Sequence, residues 1–270
     1  MTSSTKRRGF TLIELLVVVV LGGFIVLATY QVLITNSRTY AANNAQIMGQ
    51  QSLRAGLDVL FGELREISTA GGDLVAMETD SITFRANRAF GVVCDTVDYS
   101  LTPPRFTAFR IGPAFQAGDS VIVFADNNTS RSADDVWLER QVQSVDSTAT
   151  CGVDPGQLMR VPNLGSSGDT VRTGAVVRGF EVYTYGLYQI SGESYLGRRA
   201  RGATHPDPLV GPLLPSRGVA FRYLDSVGTV TTTNTDVAQI EITLRYQSRV
   251  RDSNNRLVSD SIVARVYPRN

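Results

Sequence analysis

From Phe10 to Ile34 nearly every position is apolar, and the run holds one carboxylate, Glu14, with no other charged side chain before Arg38. That length meets the roughly 20 residues a membrane-crossing helix needs. Polar residues then enter, and large apolar ones recur at Leu53, Leu57, Leu60, Phe61, Leu64 and Ile67, with Arg54, Asp58, Glu63 and Glu66 on the other side. This spacing predicts an amphipathic continuation of the same helix. No proline precedes Pro103, and Gly71-Gly72 offers a stop signal. The pattern therefore predicts one helix of nearly 60 residues, roughly 85 to 90 Å long at ~1.5 Å per residue. Gly22-Gly23 is its expected weak point.

Past Gly72 the period changes to two. Ile82 and Phe84, Val121 to Phe124, Val136 and Leu138, Phe180 and Val182, and Val219, Phe221 and Tyr223 mark strands. The plainest is Ala238, Ile240, Ile242, Leu244 and Tyr246, alternating with Gln239, Glu241, Thr243 and Arg245. Turn clusters at Asp126 to Asn128, Asp225 to Gly228 and Asp252 to Asn255 suit antiparallel connections. Ser191 to Arg217, rich in Gly, Pro and Arg, reads as an irregular excursion, and Thr229 to Thr235 as a flexible hairpin loop. A helix with one apolar face and a sheet with one apolar face each need a cover. The expected fold class is α+β: a long N-terminal helix whose second half packs on an antiparallel β-rich domain.

Charge sets the orientation. Without Lys6, Arg7 and Arg8 the formal net charge of +1 becomes −2, so the positive residues cluster just before the apolar run. The positive-inside rule then places the N-terminus in the cytoplasm and the bulk of the chain across the membrane. Leu27 to Arg38 offers no good small-residue cleavage site of the signal-peptide kind, so the apolar helix is expected to be retained. A slightly acidic remainder gives no reason to expect nucleic-acid binding.

Glu14 is the anomaly. A carboxylate in hydrocarbon costs at least about 2 to 3 kcal/mol. It either reaches the headgroups or meets a partner inside an apolar assembly.

The basic leader, Gly9, the run Phe10-Thr11-Leu12-Ile13-Glu14-Leu15-Leu16, an apolar helix with an amphipathic extension and a β-rich exported part together resemble a type IV prepilin. The resemblance is close over about the first 30 residues. It implies cleavage after Gly9 by a prepilin peptidase and N-methylation of Phe10. It also implies bundling of the helices in a filament core, where Glu14 meets the N-terminal amine of a neighbouring subunit. The domain plan that follows is a leader at 1–9, a membrane and filament-core half of the helix at 10–34, an amphipathic half at 35–70 and an exported β domain at 73–270.

The later part is similar to the W-type minor pilins and, more loosely, to the J-type pseudopilins of type II secretion. The features are the amphipathic Leu53 to Ile67 before Gly-Gly, the pair Phe221 to Tyr223 and Val237 to Leu244, and the final Ser261 to Tyr267. The implied role is a structural minor pilin in pilus assembly or initiation at or near the tip. The J-type pseudopilin is the alternative, and a membrane-anchored exported enzyme the remote one. The implied partners are the prepilin peptidase, major and minor pilin subunits, an inner-membrane assembly platform and the membrane itself.

Cys94 and Cys151 are the only cysteines, and export to an oxidising compartment suits a disulfide; two separate buried thiols is the other reading. No cofactor is implied, and no metal, because two thiols and the single His205 lack ligand spacing. Asp126 to Arg131 begins like a calcium loop, but Arg131 stands where a glycine turn is needed and Trp137 where a bidentate glutamate belongs. Arg198, Arg199 and Arg201 are read as a solvated loop rather than a phosphate contact. No G-x-S-x-G, H-E-x-x-H or phosphate-loop motif supports catalysis.

Overall fold

The computed structural model describes residues 11–165 and 168–269. It opens on one α-helix, α1, Leu12–Leu64, of 53 residues, about 80 Å long at ~1.5 Å per residue. The helix runs through Gly22 and Gly23, its expected weak point, without a break. It also ends before Gly71-Gly72. The cause lies in Ser68 and Asp73, which close the following chain into a turn: the Ser68 N–H donates to Asp73 Oδ2 at 2.8 Å and the Asp73 N–H to the Ser68 carbonyl at 3.0 Å. Gly72 serves that turn at φ 77°, a conformation that favours glycine. Ile67, the last apolar position of the periodic stripe, is outside the helix yet fully buried.

All of the strand pairings described are antiparallel. The strands in chain order are β1 (Leu74–Met77), β2 (Ser81–Val93), β3 (Arg105–Ile111), β4 (Ser120–Ala125) and β5 (Val136–Gln141). Short β6 (Ser144–Asp146) and β7 (Thr150–Cys151) lead to β8 (Asp154–Arg160) and the long β9 (Val176–Ile190). The last five are β10 (Glu193–Ala200), β11 (Asp207–Leu213), β12 (Val219–Leu224), β13 (Gln239–Arg251) and β14 (Leu257–Val266).

Two cores share two strands. In the first, Leu53, Leu57, Leu60 and Leu64 of α1 pack with Phe84, Tyr185, Ile242 and Leu244. In the second, Val93, Phe106, Val121, Val123, Met159 and Val177 pack together beyond the helix. The strands β2 and β9 pair with each other along most of their length and contribute to both cores. Their register shifts once, between Asn87 and Ala89, so Arg88 occupies a bulge at the waist between the two lobes.

Small residues set how closely α1 lies on the sheet. Ala45, Gly49, Gly56 and the leucines form its buried face. A β-carbon at Gly49 would overlap the Tyr246 ring, and one at Gly56 would stand 3.0 Å from Leu244 Cδ1. The backbone of the helix therefore approaches β13 directly.

Two segments differ from the sequence expectation. Ser191 to Arg217 holds the β10–β11 hairpin rather than an irregular excursion. Thr229 to Thr235 is pinned rather than loose: the Asn234 side chain donates to the Leu74 and Val75 carbonyls at 2.9 and 3.1 Å.

Cys94, just after β2, and Cys151, on β7, are joined by a disulfide with Cα atoms 5.7 Å apart and a sequence separation of 57. Closing a loop of that length contributes about 4 kcal/mol on the chain-entropy model. Cys94→Ser is expected to lower the melting temperature accordingly. In denatured, unreduced protein neither thiol should take up an alkylating reagent, and full labelling of both would contradict the bridge.

Candidate assembly site

The first half of α1 has a defined start. Thr11 is the N-cap: its hydroxyl accepts from the Glu14 N–H at 3.3 Å, while Glu14 Oε2 accepts from the Thr11 N–H at 3.0 Å and from its hydroxyl at 2.9 Å. This reciprocal capping box satisfies donors that a helix start otherwise leaves open. Glu14 therefore has a partner within its own chain, which the sequence reading did not foresee. The signal was present, since Thr followed three residues later by Glu before an apolar run is the capping-box pattern.

Along the same half nothing is buried. No residue of α1 before Ala45 belongs to the core, and Leu12, Phe24, Ile25, Val26 and Leu33 are all exposed. The helix is long and apolar enough there to cross a membrane. A continuous apolar cylinder with one capped carboxylate near its start has no internal purpose in the fold. Among the described residues nothing covers it, which fits a surface that meets lipid or other helices.

Residues 4–30 match the family model described as the prokaryotic N-terminal methylation motif. The chain carries a type IV prepilin-like motif. Neither a curated protein nor a solved structure matches the chain. The prepilin-like motif and the long helix on an antiparallel sheet make this an α+β protein with a pilin-like fold, like a type IV pilin or pseudopilin. Such proteins are typically structural rather than enzymatic. The motif implies processing by a prepilin peptidase and assembly partners, and with the apolar helix it fits inner-membrane anchoring before assembly. Gly9 and Phe10, on which cleavage and methylation turn, lie outside the described residues.

The prepilin-like helix is tied to its head at the turn after Leu64. Asp73, fully buried, accepts from Arg178 Nη2 through Oδ1 at 2.9 Å and from the Ser68 N–H through Oδ2. Arg85 donates to the Gly72 carbonyl at 2.9 Å and pairs with Glu139. At the bulge Arg88 grips the helix end through both Glu63 oxygens at 3.1 Å and reaches Glu181 with Nε at 3.1 Å. Burial works against the Arg88 charge, but the hydrogen bonds and attraction of Glu63, with Glu181, outweigh it and raise its pKa. Burial likewise raises the Tyr183 hydroxyl, which donates to Glu181, with that carboxylate adding to the effect. Three arginines from β2 and β9 thus fix the direction in which a pilin-like helix leaves its domain.

The Asp126 to Arg131 segment is a turn in which the Asn128 side chain accepts from the Ser130 N–H and Arg172 holds the Asp126 carbonyl. Among the described residues no group of three or more His, Cys, Asp and Glu is placed to hold a metal ion. Arg198 and Arg199 lie on strand β10 rather than a loop, over the rings of Tyr183 and Tyr188 at 4.8 and 5.8 Å.

Proposed function

We propose that this chain is a structural minor pilin of a type IV pilus, acting in assembly or initiation at or near the tip. The observation that carries the reading is the division of α1: a motif-bearing half that buries nothing within its own chain, and a second half locked into a large head. In this reading the precursor spans the inner membrane once, N-terminus in the cytoplasm and head in the periplasm. The peptidase cleaves after Gly9, Phe10 is methylated, and the exposed cylinder leaves lipid for the filament core. Glu14 then meets the new amine of a neighbouring subunit, because a low-dielectric core penalises either charge left alone. The two-lobed head is bulky beside a helix about 10–12 Å across, which suits an occasional or terminal subunit.

Two measurements test this. N-terminal mass spectrometry is expected to find methylated Phe10 as the first residue, whereas a start near Ala41 or Ala45 would mean a conventional signal peptide. Quantitative proteomics of sheared filaments is expected to find the chain far rarer than the main subunit. Equal or dominant abundance overturns the minor role, and recovery only with secretion machinery and its exported hydrolase reassigns the chain to the J-type pseudopilins.

A further inference from the structure

Beside the turn that follows α1 a groove of about 710 Å³ opens to solvent. Its floor is apolar: Phe90, Ile111, Val176 and Trp137 line it. The strand pairings explain how they meet. Phe90 pairs with Ile111 on β3 and with Arg178 on β9, and Arg178 pairs with Ile122 on β4. Cross-strand partners share a face of a sheet, so this row lies across four strands, with the shift at Arg88 fixing its register. Ile111 and Trp137 are each 49% exposed and Phe90 is 38% exposed. Phe109, two residues before Ile111 and so on the same face of β3, is exposed as well.

The rim is basic. Arg178 is held by Asp73 and lies 5.5 Å over the Trp137 ring. Arg65 and Arg269, both exposed, take part in no ion pair among the described residues. Against these two guanidiniums the lining sets one carboxylate, Glu66, which is likewise outside any ion pair. Aromatic and arginine side chains at an exposed concave face are the composition of an interface centre.

We propose that this groove docks a peptide segment of another protein in which carboxylates flank a large apolar side chain. The apolar side chain sits on Phe90, Ile111 and Trp137, and the carboxylates meet Arg65 and Arg269. Arginine clusters recognise acidic segments in this way. The inference concerns the head and does not rest on the filament reading.

Trp137 is the only tryptophan of the chain, so its emission reports on the groove directly. The intact protein in a non-ionic detergent is titrated with the blocked peptide acetyl-DEFLDE-amide and, separately, with acetyl-KKFLKK-amide. A saturable blue shift with the acidic peptide is expected, about tenfold or more weaker with the basic one, and weakened by added salt. The double variant Arg65→Glu, Arg269→Glu should lose the acidic-peptide response by about tenfold or more while keeping its melting temperature, since both side chains are exposed. Arg249→Glu, on the distant half of β13, should leave the response unchanged. The proposal is overturned by no saturable shift, by equal response to both peptides, or by indifference to the double variant. A shift produced only by phosphatidylglycerol vesicles would overturn it in favour of a membrane surface.

Discussion

Glu14→Leu is expected to abolish incorporation into filaments while leaving the membrane pool intact. The substitution makes the span more apolar, so insertion persists or improves. Cleavage after Gly9 should survive, because the peptidase is expected to read the leader and the adjacent bond. Two interactions disappear. One is the carboxylate's half of the capping box, its bonds from the Thr11 N–H and hydroxyl, whose loss costs about 1 kcal/mol. The other is the proposed pairing with a neighbour's amine, and breaking one side of a buried pair costs about 3 to 5 kcal/mol. At ~1.4 kcal/mol per factor of ten, the second loss alone lowers incorporation by about 100-fold or more.

Because Glu14 has a partner in its own chain, a companion variant is needed. Thr11→Val removes the hydroxyl of the cap and keeps the carboxylate. If the carboxylate serves only its own helix start, Thr11→Val and Glu14→Leu should be equally mild. If it serves a neighbour, Thr11→Val stays close to wild type and Glu14→Leu fails. Co-purification with sheared filaments, read beside membrane level and N-terminal mass, decides between them. Normal incorporation of a cleaved Glu14→Leu subunit would refute the intersubunit pair.

The second large effect is expected at Asp73. Asp73→Ala removes a carboxylate with no exposed surface and leaves the Arg178 guanidinium, 21% exposed, without its counter-charge. The Ser68 N–H loses its acceptor as well. Together these should cost about 3 to 5 kcal/mol, which for a head of this size lowers the melting temperature by on the order of 10 °C at ~2–4 °C per kcal/mol. Arg249→Ala is the control. Arg249 pairs with Glu193, but its side chain is 78% exposed, and surface pairs contribute about 0 to 1 kcal/mol. Thermal unfolding of the intact protein in detergent, followed by circular dichroism, should separate the two clearly. A loss at Asp73 no larger than that at Arg249 would show that the turn is not held by this pair.

How far each feature could be read in the sequence follows from how local its cause is. The helix and β13 are legible because each writes its own period: Leu53 to Leu64 in steps of three and four, Ala238 to Tyr246 in steps of two. The β10–β11 hairpin is not. Its strands carry Gly197, Pro208 and Pro212, residues that argue against a strand interior, and Arg198 two residues after Leu196, where alternation asks for an apolar side chain. The arginines lie on tyrosines of β9, and a β-carbon at Gly197 would crowd Tyr188. The capping box was legible in its spacing, as Thr11 and Glu14 are three apart. The Asp73–Arg178 pair was not, since its members lie 105 positions apart and neither is flagged by its neighbours. The helix end fell short of the double glycine for the same reason: Ser68 and Asp73 act through hydrogen bonds that periodicity does not record.

The route of the backbone also dictates a schedule. Strand β14 lies against α1, the Thr69 hydroxyl donates to the Val237 carbonyl across a separation of 168 residues, and the Arg269 N–H bonds back to the Ile67 carbonyl. In the proposed topology the N-terminus stays in the cytoplasm, and synthesis delivers the greasy stripe of Leu53 to Ile67 across the membrane long before the strands that cover it. Through that interval the stripe waits unshielded, and contacts so distant in sequence form slowly. The first core closes only after β13 and β14 have emerged, whereas the second needs nothing beyond β9, so on the proposed reading a subunit halted in translocation presents a sticky helix beside a finished lobe, a natural substrate for periplasmic chaperones and proteases.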